Sequence, residues 1–412
     1  MVTQPRSAVT TSKPPQAGTP ASLRELNQRA VLDLLRRSGA TTRPRIAKET
    51  GISKPTVGQA LLDLEQCGLV REAGRELSGP GRSAVVYEAD PSAGHVLGID
   101  IGAERLRLAV ADLDGTVVAT LDERNRSRSA SSLVRTIEKY ANRAVAEAGI
   151  ERDQVLATVV GSPGVPNHAS RTLRQAHNLP GWGRAGLLDE LEAVLGEGLV
   201  VENDANLCAV GEHRLGAARD VDVFAFITVG TGIGMGIVAG GSLFRGAHGA
   251  AGEVGYLPYG WPFPFEPVDG DAEVPPRQGL FEAAAAANSV VRIATDNGVQ
   301  GVSTAREVFA RAHEGDPRAR AAVEEEATRL AFVVASVTAV IDPELIVLGG
   351  GIGANTGLLA EPLQRALHRT TPLAPPVVSG ELGERAVLSG AISTALHTAR
   401  DLAFERKTRA GS

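Results

Sequence analysis

Two stretches of the chain decide its fold. Residues 95–115 read HVLGIDIGAERLRLAVADLDG, and residues 223–244 read VFAFITVGTGIGMGIVAGGSLF. Each stretch predicts an apolar strand, a glycine-containing turn and a second strand, because runs rich in Val, Ile, Leu and Phe are bounded by glycine. Two openings of this kind, far apart in one chain, predict two related lobes around a cleft.

Strands alternate with helices around these two openings. After the first come a helix at 132–149, strands at 155–164 and 198–204, and a helix at 205–216. The part after the second opening is largely helical. Its predicted elements are helices at 279–297, 304–313 and 317–341, a strand at 344–351, and helices at 358–367 and 389–403. This alternation predicts an α/β architecture.

The chain before residue 91 has another pattern, three short helices followed by two strands. One stripe of the first helix holds Leu23, Leu26, Ala30, Val31, Leu34 and Leu35. The sequence RPRIAKETG (43–51) predicts the second helix, and residues 52–70 predict the third, capped by Ser53. Its inward face is predicted to hold Val57, Ala60, Leu61 and Leu64. Two strands, LVREAG and SAVVYEAD, then flank a basic, glycine-rich tip.

This order of elements is typical of a winged helix-turn-helix. In such a unit the third helix enters the major groove, where Lys54, Thr56 and Gln59 suit phosphates and base edges. Arg82 in the wing tip suits a minor groove or the backbone. Residues 1–88 hold 13 Lys and Arg against 8 Asp and Glu, whereas the whole chain carries −6, so this end favours a polyanion. A small helical protein-interaction domain is the alternative.

Composition excludes several classes of protein. The 412 residues are 43% hydrophobic and 22% charged, as in ordinary globular proteins. Cys67 and Cys208 are the only cysteines, too few for a disulfide framework or a Cys-based zinc site. Neither an apolar run long enough for a membrane span nor a signal-peptide pattern is present, so we expect a cytoplasmic location.

The predicted organisation has four parts. Residues 1–20, rich in Pro, Ser and Thr, are predicted to be a disordered tail, and 21–90 the winged helix-turn-helix. Residues 93–403 are predicted to form the two-lobed body, and 404–412 a second tail.

Both glycine turns are candidate phosphate sites. The first contains Asp100, Gly102 and Glu104, and the second presents Gly230, Thr231, Gly232 and Gly234. Glycines let a backbone approach a phosphate closely, and an acid beside them suits a metal-bound nucleotide. Neither turn is a Walker A loop, because Gly-Lys-Ser/Thr does not follow. The alternative for each is a tight turn in a twisted sheet.

A third candidate closes a strand and opens a helix at VENDAN (201–206). Polar groups at the carboxyl end of a strand favour ligand binding in α/β folds. Asp204 suits proton abstraction from a hydroxyl, and Asn203 suits contact with a neighbouring one. Helix capping by either residue is the alternative.

These motifs in order resemble the ROK family (repressor, open reading frame, kinase) over residues 22–402. The matching pieces are GIDIG (98–102), SPGVPN (162–167), NLPGW (178–182), VENDAN (201–206), TVGTGIGMGI (228–237), GAHGAAGEVGY (246–256) and IVLGGGI (346–352). The resemblance implies an actin-like (ribonuclease-H-like), two-lobed sugar kinase fold. Members with a winged helix-turn-helix are typically sugar-responsive transcription factors, and members without it are typically ATP-dependent sugar kinases.

The resemblance also implies roles for particular residues. Asp204 matches the catalytic base and Asn203 its sugar-binding neighbour. Further sugar contacts are implied for Asn178, Glu253 and Glu282, whose carboxylates and amides suit the hydroxyls of a polyol. Tyr256, at the position of a sugar-contacting histidine of the family, is a further candidate ligand contact. We expect the pocket to bind a small sugar or sugar derivative, against the alternative of a vestigial pocket kept as scaffold.

The chain departs from the family pattern in two places. The usual GEVGH ends here in Tyr256, and Leu280 stands where the last zinc cysteine is expected, with no Cys or His in the loop between them. We therefore expect neither zinc nor another metal. Glu104 replaces a neutral or basic residue of active kinases, and its carboxylate would repel a triphosphate. We expect no useful kinase activity, with ATP and magnesium as cofactors only if the protein is a kinase.

The sequence thus predicts a DNA-binding regulator, most consistent with a repressor of carbohydrate genes. Its partners are predicted to be a double-stranded operator with an inverted repeat, a sugar effector, and further copies in a homodimer or homotetramer. The alternatives are a bifunctional sugar kinase and a ligand-independent DNA-binding protein whose body serves assembly.

Overall fold

The computed structural model describes residues 20–77, 83–167, 170–176, 179–260 and 278–410. The chain divides into two compact units. The first comprises the chain as far as His95, the short segment Asp112–Thr116 and the end of the chain from Thr398. The second comprises Val96–Ala111 and Val117–His397.

The first unit contains the three predicted helices and both strands of the wing. Its elements are α1 (Pro20–Ser38), β1 (Thr41–Thr42), α2 (Arg43–Thr50), α3 (Lys54–Gln66), β2 (Val70–Leu77) and β3 (Ser83–Ala89). The strands form a sheet in the order β1-β3-β2, with β2 antiparallel to β3. The winged helix-turn-helix prediction is confirmed.

Helix α3 begins where its sequence predicts. The Ser53 hydroxyl accepts a hydrogen bond from the Thr56 N–H, which satisfies one free donor of the first turn. Before it, α2 ends at Gly51, whose φ of 71° is accessible to glycine at little cost. The residues predicted to face inward on α3 are all buried: Val57, Ala60, Leu61 and Leu64.

The apolar stripe of α1 is only partly buried. Val31, Leu34 and Leu35 are buried, but Leu23 and Leu26 are 57% and 50% exposed. In these first turns the face that meets α3 carries polar side chains, which bond to Asp63 of that helix. The sequence pattern places these residues on one stripe, and the structure shows that only the later part of the stripe is buried.

The second unit contains two lobes. The first lobe comprises β4 (His95–Ile101), β5 (Arg105–Asp112), β6 (Val117–Arg124), α4 (Ala130–Glu147), β7 (Val155–Ser162), β8 (Val165–Asn167), β9 (Thr172–Arg174), α5 (Leu187–Leu195), β10 (Val200–Asn203) and α6 (Asp204–Leu215). The second comprises β11 (Val223–Val229), β12 (Ile233–Ala239), β13 (Ser242–Leu243), α7 (Leu280–Ala285), α8 (Ala287–Asp296), α9 (Ala305–Glu314), α10 (Pro317–Ile341), β14 (Leu345–Gly349), α11 (Gly350–Gly353), α12 (Thr356–Thr370), β15 (Val377–Ser379) and the first part of α13 (Ala386–Ala410). The residues of α13 from Thr398 onward belong to the first unit.

The two lobes repeat one strand order. The first sheet runs β6-β5-β4-β7-β10 and the second β13-β12-β11-β14-β15. In each sheet the first strand of the lobe lies at the centre, the second and third follow on one side, and two later strands complete the other. Parallel pairing joins β7 to β10, β11 to β14 and β14 to β15. The prediction of two related α/β lobes is confirmed.

The end of the chain differs from the prediction. Residues 404–412 are predicted as a tail, but α13 continues to Ala410. Within the first unit Phe404 is buried, and the guanidinium of Arg29 lies 4.3 Å from the centre of its ring. Lys407 also donates to the carbonyl oxygen of Gly68 at 3.1 Å. Because these contacts stabilise the end of α13, the helix extends through residues 404–410, most of which are polar. Within the described ranges, no helix is long and apolar enough to cross a bilayer.

Candidate functional site

The loops between the lobes surround a cavity of about 620 Å³, here called the cleft. Its walls come from the β4–β5 and β11–β12 turns, the start of α6, the turn before Leu257 and the start of α7. The cleft brings together these predicted site residues: Asp100, Gly102, Asn203, Asp204, Gly230, Thr231, Gly232, Gly234, Glu253, Tyr256 and Glu282. Asn178 and Arg82 lie outside the described residues.

The cleft also contains polar side chains that the sequence analysis missed. They are Gln175, Asn206, Thr228, Gln278 and Asn288. Asn206 lies in the motif VENDAN and Thr228 in the motif TVGTGIGMGI, so these motifs could have marked both residues as part of the site. The other three lie on loops or helices where no pattern marks them.

Asn203 and Asp204 have different roles at the start of α6. The Asn203 side-chain oxygen accepts from the N–H groups of Ala205 and Asn206, at 2.9 and 3.2 Å, so Asn203 caps the helix. Its amide nitrogen donates to the Gly164 carbonyl at 3.2 Å. The capping alternative therefore applies to Asn203. The Asp204 carboxylate accepts one backbone bond, from Ala205 at 2.8 Å, and lines the cleft.

Three carboxylates converge here, those of Asp204, Glu253 and Glu282, and none of them forms an ion pair with a basic side chain among the described residues. Burial raises the pKa of Asp204 to about 6. Burial, together with the charges of Asp204 and Glu282, raises the pKa of Glu253 to about 6. Burial, and then the charges of Glu253 and Glu282, also raise the pKa of Tyr256. The Glu282 carboxylate accepts from the Ile233 N–H at 3.2 Å. A cluster of desolvated acceptors of this kind suits a ligand that supplies several hydroxyl donors.

The glycines of the second turn have a packing role as well. A Cβ atom at Gly236 would lie 2.5 Å from the Ala205 carbonyl oxygen, and one at Gly234 would lie 3.1 Å from the Ala205 Cβ. The Gly230 N–H bonds to the Gly232 carbonyl at 2.9 Å, which closes the turn. The close approach of α6 to β12 therefore explains part of the alternating glycine pattern. These glycines are therefore also explained by a tight turn and close packing, and the phosphate-site interpretation stays a prediction.

An ion pair between the buried Glu202 and the exposed Arg245 links the helix start to the loop after β13. Glu202 is 5% exposed, and its carboxylate accepts from Arg245 at 2.6 Å. The other oxygen accepts from the side chain of Asn206 at 2.8 Å and the Asn203 N–H at 2.9 Å. Glu202 thus holds Asn203 and Asn206 in place on the cleft wall. The sequence analysis missed this role because Arg245 lies far from Glu202 in the chain.

In the first unit, the start of α3 is exposed and carries the predicted DNA-contact residues. The Lys54 side chain is exposed, and the Thr56 hydroxyl lies 2.8 Å from that of Ser53. Gln59 is also exposed, but its amide donates to Asp63 at 2.9 Å. Arg43, which the sequence analysis missed, donates to the Lys54 carbonyl at 3.0 Å.

The position of Arg43 also explains a glycine. A Cβ atom at Gly58 would lie 2.6 Å from the guanidinium carbon of Arg43. An exposed cation thus lies beside the first turn of α3, where positive charge suits a phosphate backbone.

Comparison with known proteins identifies both parts of the chain. The ROK family pattern matches residues 96–397, which is most of the chain. The chain belongs to the ROK family. A winged helix-turn-helix DNA-binding pattern matches residues 24–71. Together the two matches have the arrangement that the motifs predict.

ROK relatives include both repressors and kinases. A xylose repressor from Caldicellulosiruptor bescii is 25% identical, over 91% of this chain and 96% of the relative. A glucokinase from Halalkalibacterium halodurans is 28% identical, over 65% of this chain and 84% of the relative. The relatives that match this chain therefore include both an enzyme and a transcriptional repressor.

Solved ROK structures show the same fold. The ROK hexokinase from Thermus thermophilus is 32% identical, with a TM-score of 0.61, over 74% of this chain and 99% of its own. A ROK transcriptional regulator, described as a homolog of the E. coli Mlc protein, is 19% identical with a TM-score of 0.73. That match covers 94% of this chain and 99% of the regulator.

Two positions bear on the kinase chemistry of ROK relatives. Burial raises the pKa of Asp100 to about 7, against the effect of Arg107, whose guanidinium lies 3.3 Å from its carboxylate. Arg107 also pairs with Glu384 at 2.7 Å. Glu104, by contrast, is exposed and is not among the residues that line the cleft. The Glu104 carboxylate would therefore not touch a triphosphate bound in the cleft, and its repulsion of that ligand stays a prediction.

The zinc site that the family resemblance implies would lie around Tyr256 and Leu280. Tyr256 lies on the cleft wall, and Leu280 begins α7. The loop between them lies mostly outside the described residues. Among the residues that the structure describes, no group of three His, Cys, Asp or Glu side chains is placed to hold a metal. The expectation that the protein binds no zinc stays a prediction.

Proposed function

We propose that this ROK protein is a sugar-responsive, DNA-binding transcriptional regulator that acts as a repressor of carbohydrate genes. The observation that carries the proposal is the pairing, in one chain, of a winged helix-turn-helix with a cleft lined by converging carboxylates. The xylose repressor relative, which matches nearly the full length, supports it.

The DNA-binding surface is centred on the start of α3. Lys54 and Thr56 are placed to contact phosphates and base edges, with Arg43 beside them. Two copies of this head would read the two halves of an inverted repeat, so the proposal includes a homodimer or homotetramer. Binding of the sugar then shifts the population of conformations away from the one that fits the operator.

The effector is a hydroxyl-rich small molecule. Asp204, Glu253 and Glu282 accept hydrogen bonds from its hydroxyls, and these bonds offset the cost of burying the three carboxylates. Such bonds would lower the raised pKa values of Asp204 and Glu253, because they favour the charged forms.

We propose further that the protein is not an enzyme and uses no cofactor. Asp100, which would serve a metal-bound nucleotide, already faces a guanidinium, so Arg107 competes with a cation there. A regulator needs a cleft that binds the sugar, but it does not need the cleft to transfer phosphate to that sugar.

Selection of fragmented genomic DNA on the purified protein tests the DNA-binding part. We expect enrichment of a few inverted repeats. Lys54→Ala should weaken binding to them about tenfold, as for loss of one charged contact. Lys139→Ala removes an exposed lysine from the second unit and serves as the control. Retention of no specific fragment at moderate salt would contradict the proposal.

A second candidate function is an ATP-dependent sugar kinase. It is favoured by Asp204, whose pKa of about 6 suits a general base and which shares the cleft with both glycine turns. Sugar-dependent release of ADP, abolished in Asp204→Ala, would establish this function. Absence of turnover with a sugar that stabilises the protein supports the regulator.

A further inference from the structure

We propose that the effector is a disaccharide, whose second ring occupies a compartment beside the cleft. This inference rests on the proposed sugar response. The side compartment, as we call it, is a cavity of about 680 Å³ whose wall includes Thr172, Leu173, Leu179, Pro180 and Ala250. It lies wholly within the second unit.

The side compartment adjoins the cleft. Gln175 and Tyr256 line both cavities, so the two cavities meet at these side chains. Under the proposal, a ligand held by the cleft carboxylates extends past Gln175 and Tyr256 into the side compartment.

Gln175 has the properties of a ligand contact. It is exposed, and its backbone has φ of 59°, in the left-handed region that glycine usually occupies. Holding a glutamine there costs free energy, which the surrounding structure must supply. Its amide carries both donors and an acceptor, so it can bridge the hydroxyls of two adjoining rings.

The two cavities differ in polarity. The cleft has four acidic side chains on its wall, whereas none of the described residues lining the side compartment is Asp or Glu. Arg174 is the one charged residue among its described lining residues, and it donates to the His248 carbonyl at 3.2 Å. The exposed part of the wall includes Pro180 and Ala250, and Tyr256 lines the side compartment as well as the cleft. Apolar walls of this kind fit the C–H faces of a sugar ring, whereas the cleft fits its hydroxyls.

A nucleotide does not explain the side compartment. The residues of both glycine turns line the cleft, and none of them lines the side compartment. The compartment therefore lies at the Tyr256 side of the cleft, away from the turns that would hold phosphates. A second sugar ring would occupy the side compartment and leave the space beside the two glycine turns empty.

Ala250 offers a selective way to fill the side compartment. Its exposed side chain lines the compartment and not the cleft, so Ala250→Trp would block the second ring and leave the first one room. Ala247→Trp, on the same loop but on neither wall, is the matched control. Thr172→Arg, at another point of the wall, gives a second block should Ala250→Trp not fold.

Calorimetric titration of the wild-type chain with xylose and xylobiose, and with glucose, cellobiose and maltose, tests the proposal. We expect one disaccharide to bind at least about tenfold more tightly than its own monosaccharide, since a second ring adds buried contacts. Ala250→Trp or Thr172→Arg should remove that difference and leave the monosaccharide affinity unchanged. Ala247→Trp should keep the difference.

The outcomes separate this inference from the proposed function. If a monosaccharide binds and no disaccharide binds more tightly, the disaccharide proposal is wrong while the sugar response stands. The same holds if the tighter disaccharide is unaffected by both blocking variants. If none of these sugars binds and operator binding is unchanged by all of them, both proposals fail.

Discussion

The first unit and the cleft treat their carboxylates in opposite ways. Asp63 of α3 is 6% exposed, yet Arg24 donates to both of its oxygens at 2.7 Å, and Gln28 and Gln59 add further bonds. The guanidinium of Arg24 is the main cause of its lowered pKa. Asp204, in contrast, accepts a backbone bond from Ala205 but forms no ion pair among the described residues, and burial raises its pKa.

This difference separates a structural carboxylate from one that is available to a ligand. The bonds to Asp63 tie α1 to α3, so its charge is already used by the fold. The charge of Asp204 is desolvated without full compensation, so a ligand that donates to it gains more than water offers. Removal of each carboxylate should therefore have opposite effects on stability.

Asp63→Ala should give the largest effect, a loss of about 3 kcal/mol in the free energy of unfolding of the first unit, because several bonds to a charged group disappear. Since the pKa of Asp63 is lowered in the folded state, its contribution is present above about pH 4 and is lost as pH falls through the folded pKa. Urea unfolding of the full chain between pH 3 and 7, followed by circular dichroism, measures both. Equal stability of Asp63→Ala and wild type at pH 7 would contradict this role.

Glu326 in α10 is a carboxylate that is more deeply buried and less compensated than Asp204. It is fully buried, neither of its oxygens has a hydrogen-bond partner in the part of the chain that the structure describes, and burial raises its pKa to about 8. Since the folded pKa lies above the unfolded one, stability is lost as pH rises between about 4.5 and 8.

Glu326→Met should therefore stabilise the protein by about 2 kcal/mol at pH 8, because the apolar side chain has no charge to bury. The gain should shrink at pH 5, where the wild-type carboxyl is neutral. Glu324→Met, at an exposed position of the same helix, is the control and should show no such pH dependence. Thermal unfolding at both pH values measures the gain, and a loss of stability at pH 8 would show that Glu326 has a partner.

Asp204→Asn should stabilise the ligand-free protein by about 1 kcal/mol at pH 7, because it removes a desolvated charge from a site that water still reaches. The gain should vanish below about pH 4, where the wild-type carboxyl is protonated in both states. At the same time the variant should lose the rise in melting temperature that a sugar gives the wild type. Scanning calorimetry with and without sugar measures both quantities. A less stable variant that still responds to sugar would overturn the assignment.

Gln59→Ala should give the smallest effect and resolve a double assignment. If Gln59 serves Asp63, the variant should lose about 0.5–1 kcal/mol of stability, as for one hydrogen bond, and bind the operator as the wild type does. We expect this result, because the amide already donates to Asp63. A drop in operator affinity at unchanged stability, measured by fluorescence anisotropy, would instead place Gln59 on the DNA.

The fold could be predicted from the sequence because its signals are local. Strand runs such as residues 223–229 and the glycine turn after them are visible without any tertiary information. The motifs also placed Asp204, Glu253 and Glu282 near one another through the family resemblance. The extension of α13 was missed because it depends on the burial of Phe404 and on the distant Arg29.

Other parts of the site could not be predicted for the same reason. Arg107 pairs with Asp100 across two strands, and Arg245 reaches Glu202 from a loop beyond the second sheet's first strands. No periodicity marks such pairs, since their partners are set by the folded backbone. Gln175 was missed because its unusual φ cannot be read from a residue type that normally avoids it.

Operator binding as a function of sugar concentration tests the central claim most directly. Fluorescence anisotropy would follow an operator fragment, selected from genomic DNA, with wild type and Asp204→Asn and the sugar that most raises the melting temperature. The account predicts that saturating sugar weakens wild-type binding by about tenfold or more, while the variant binds the operator equally well and does not respond. Unchanged wild-type affinity at saturating sugar, or an equal response of the variant, would contradict it.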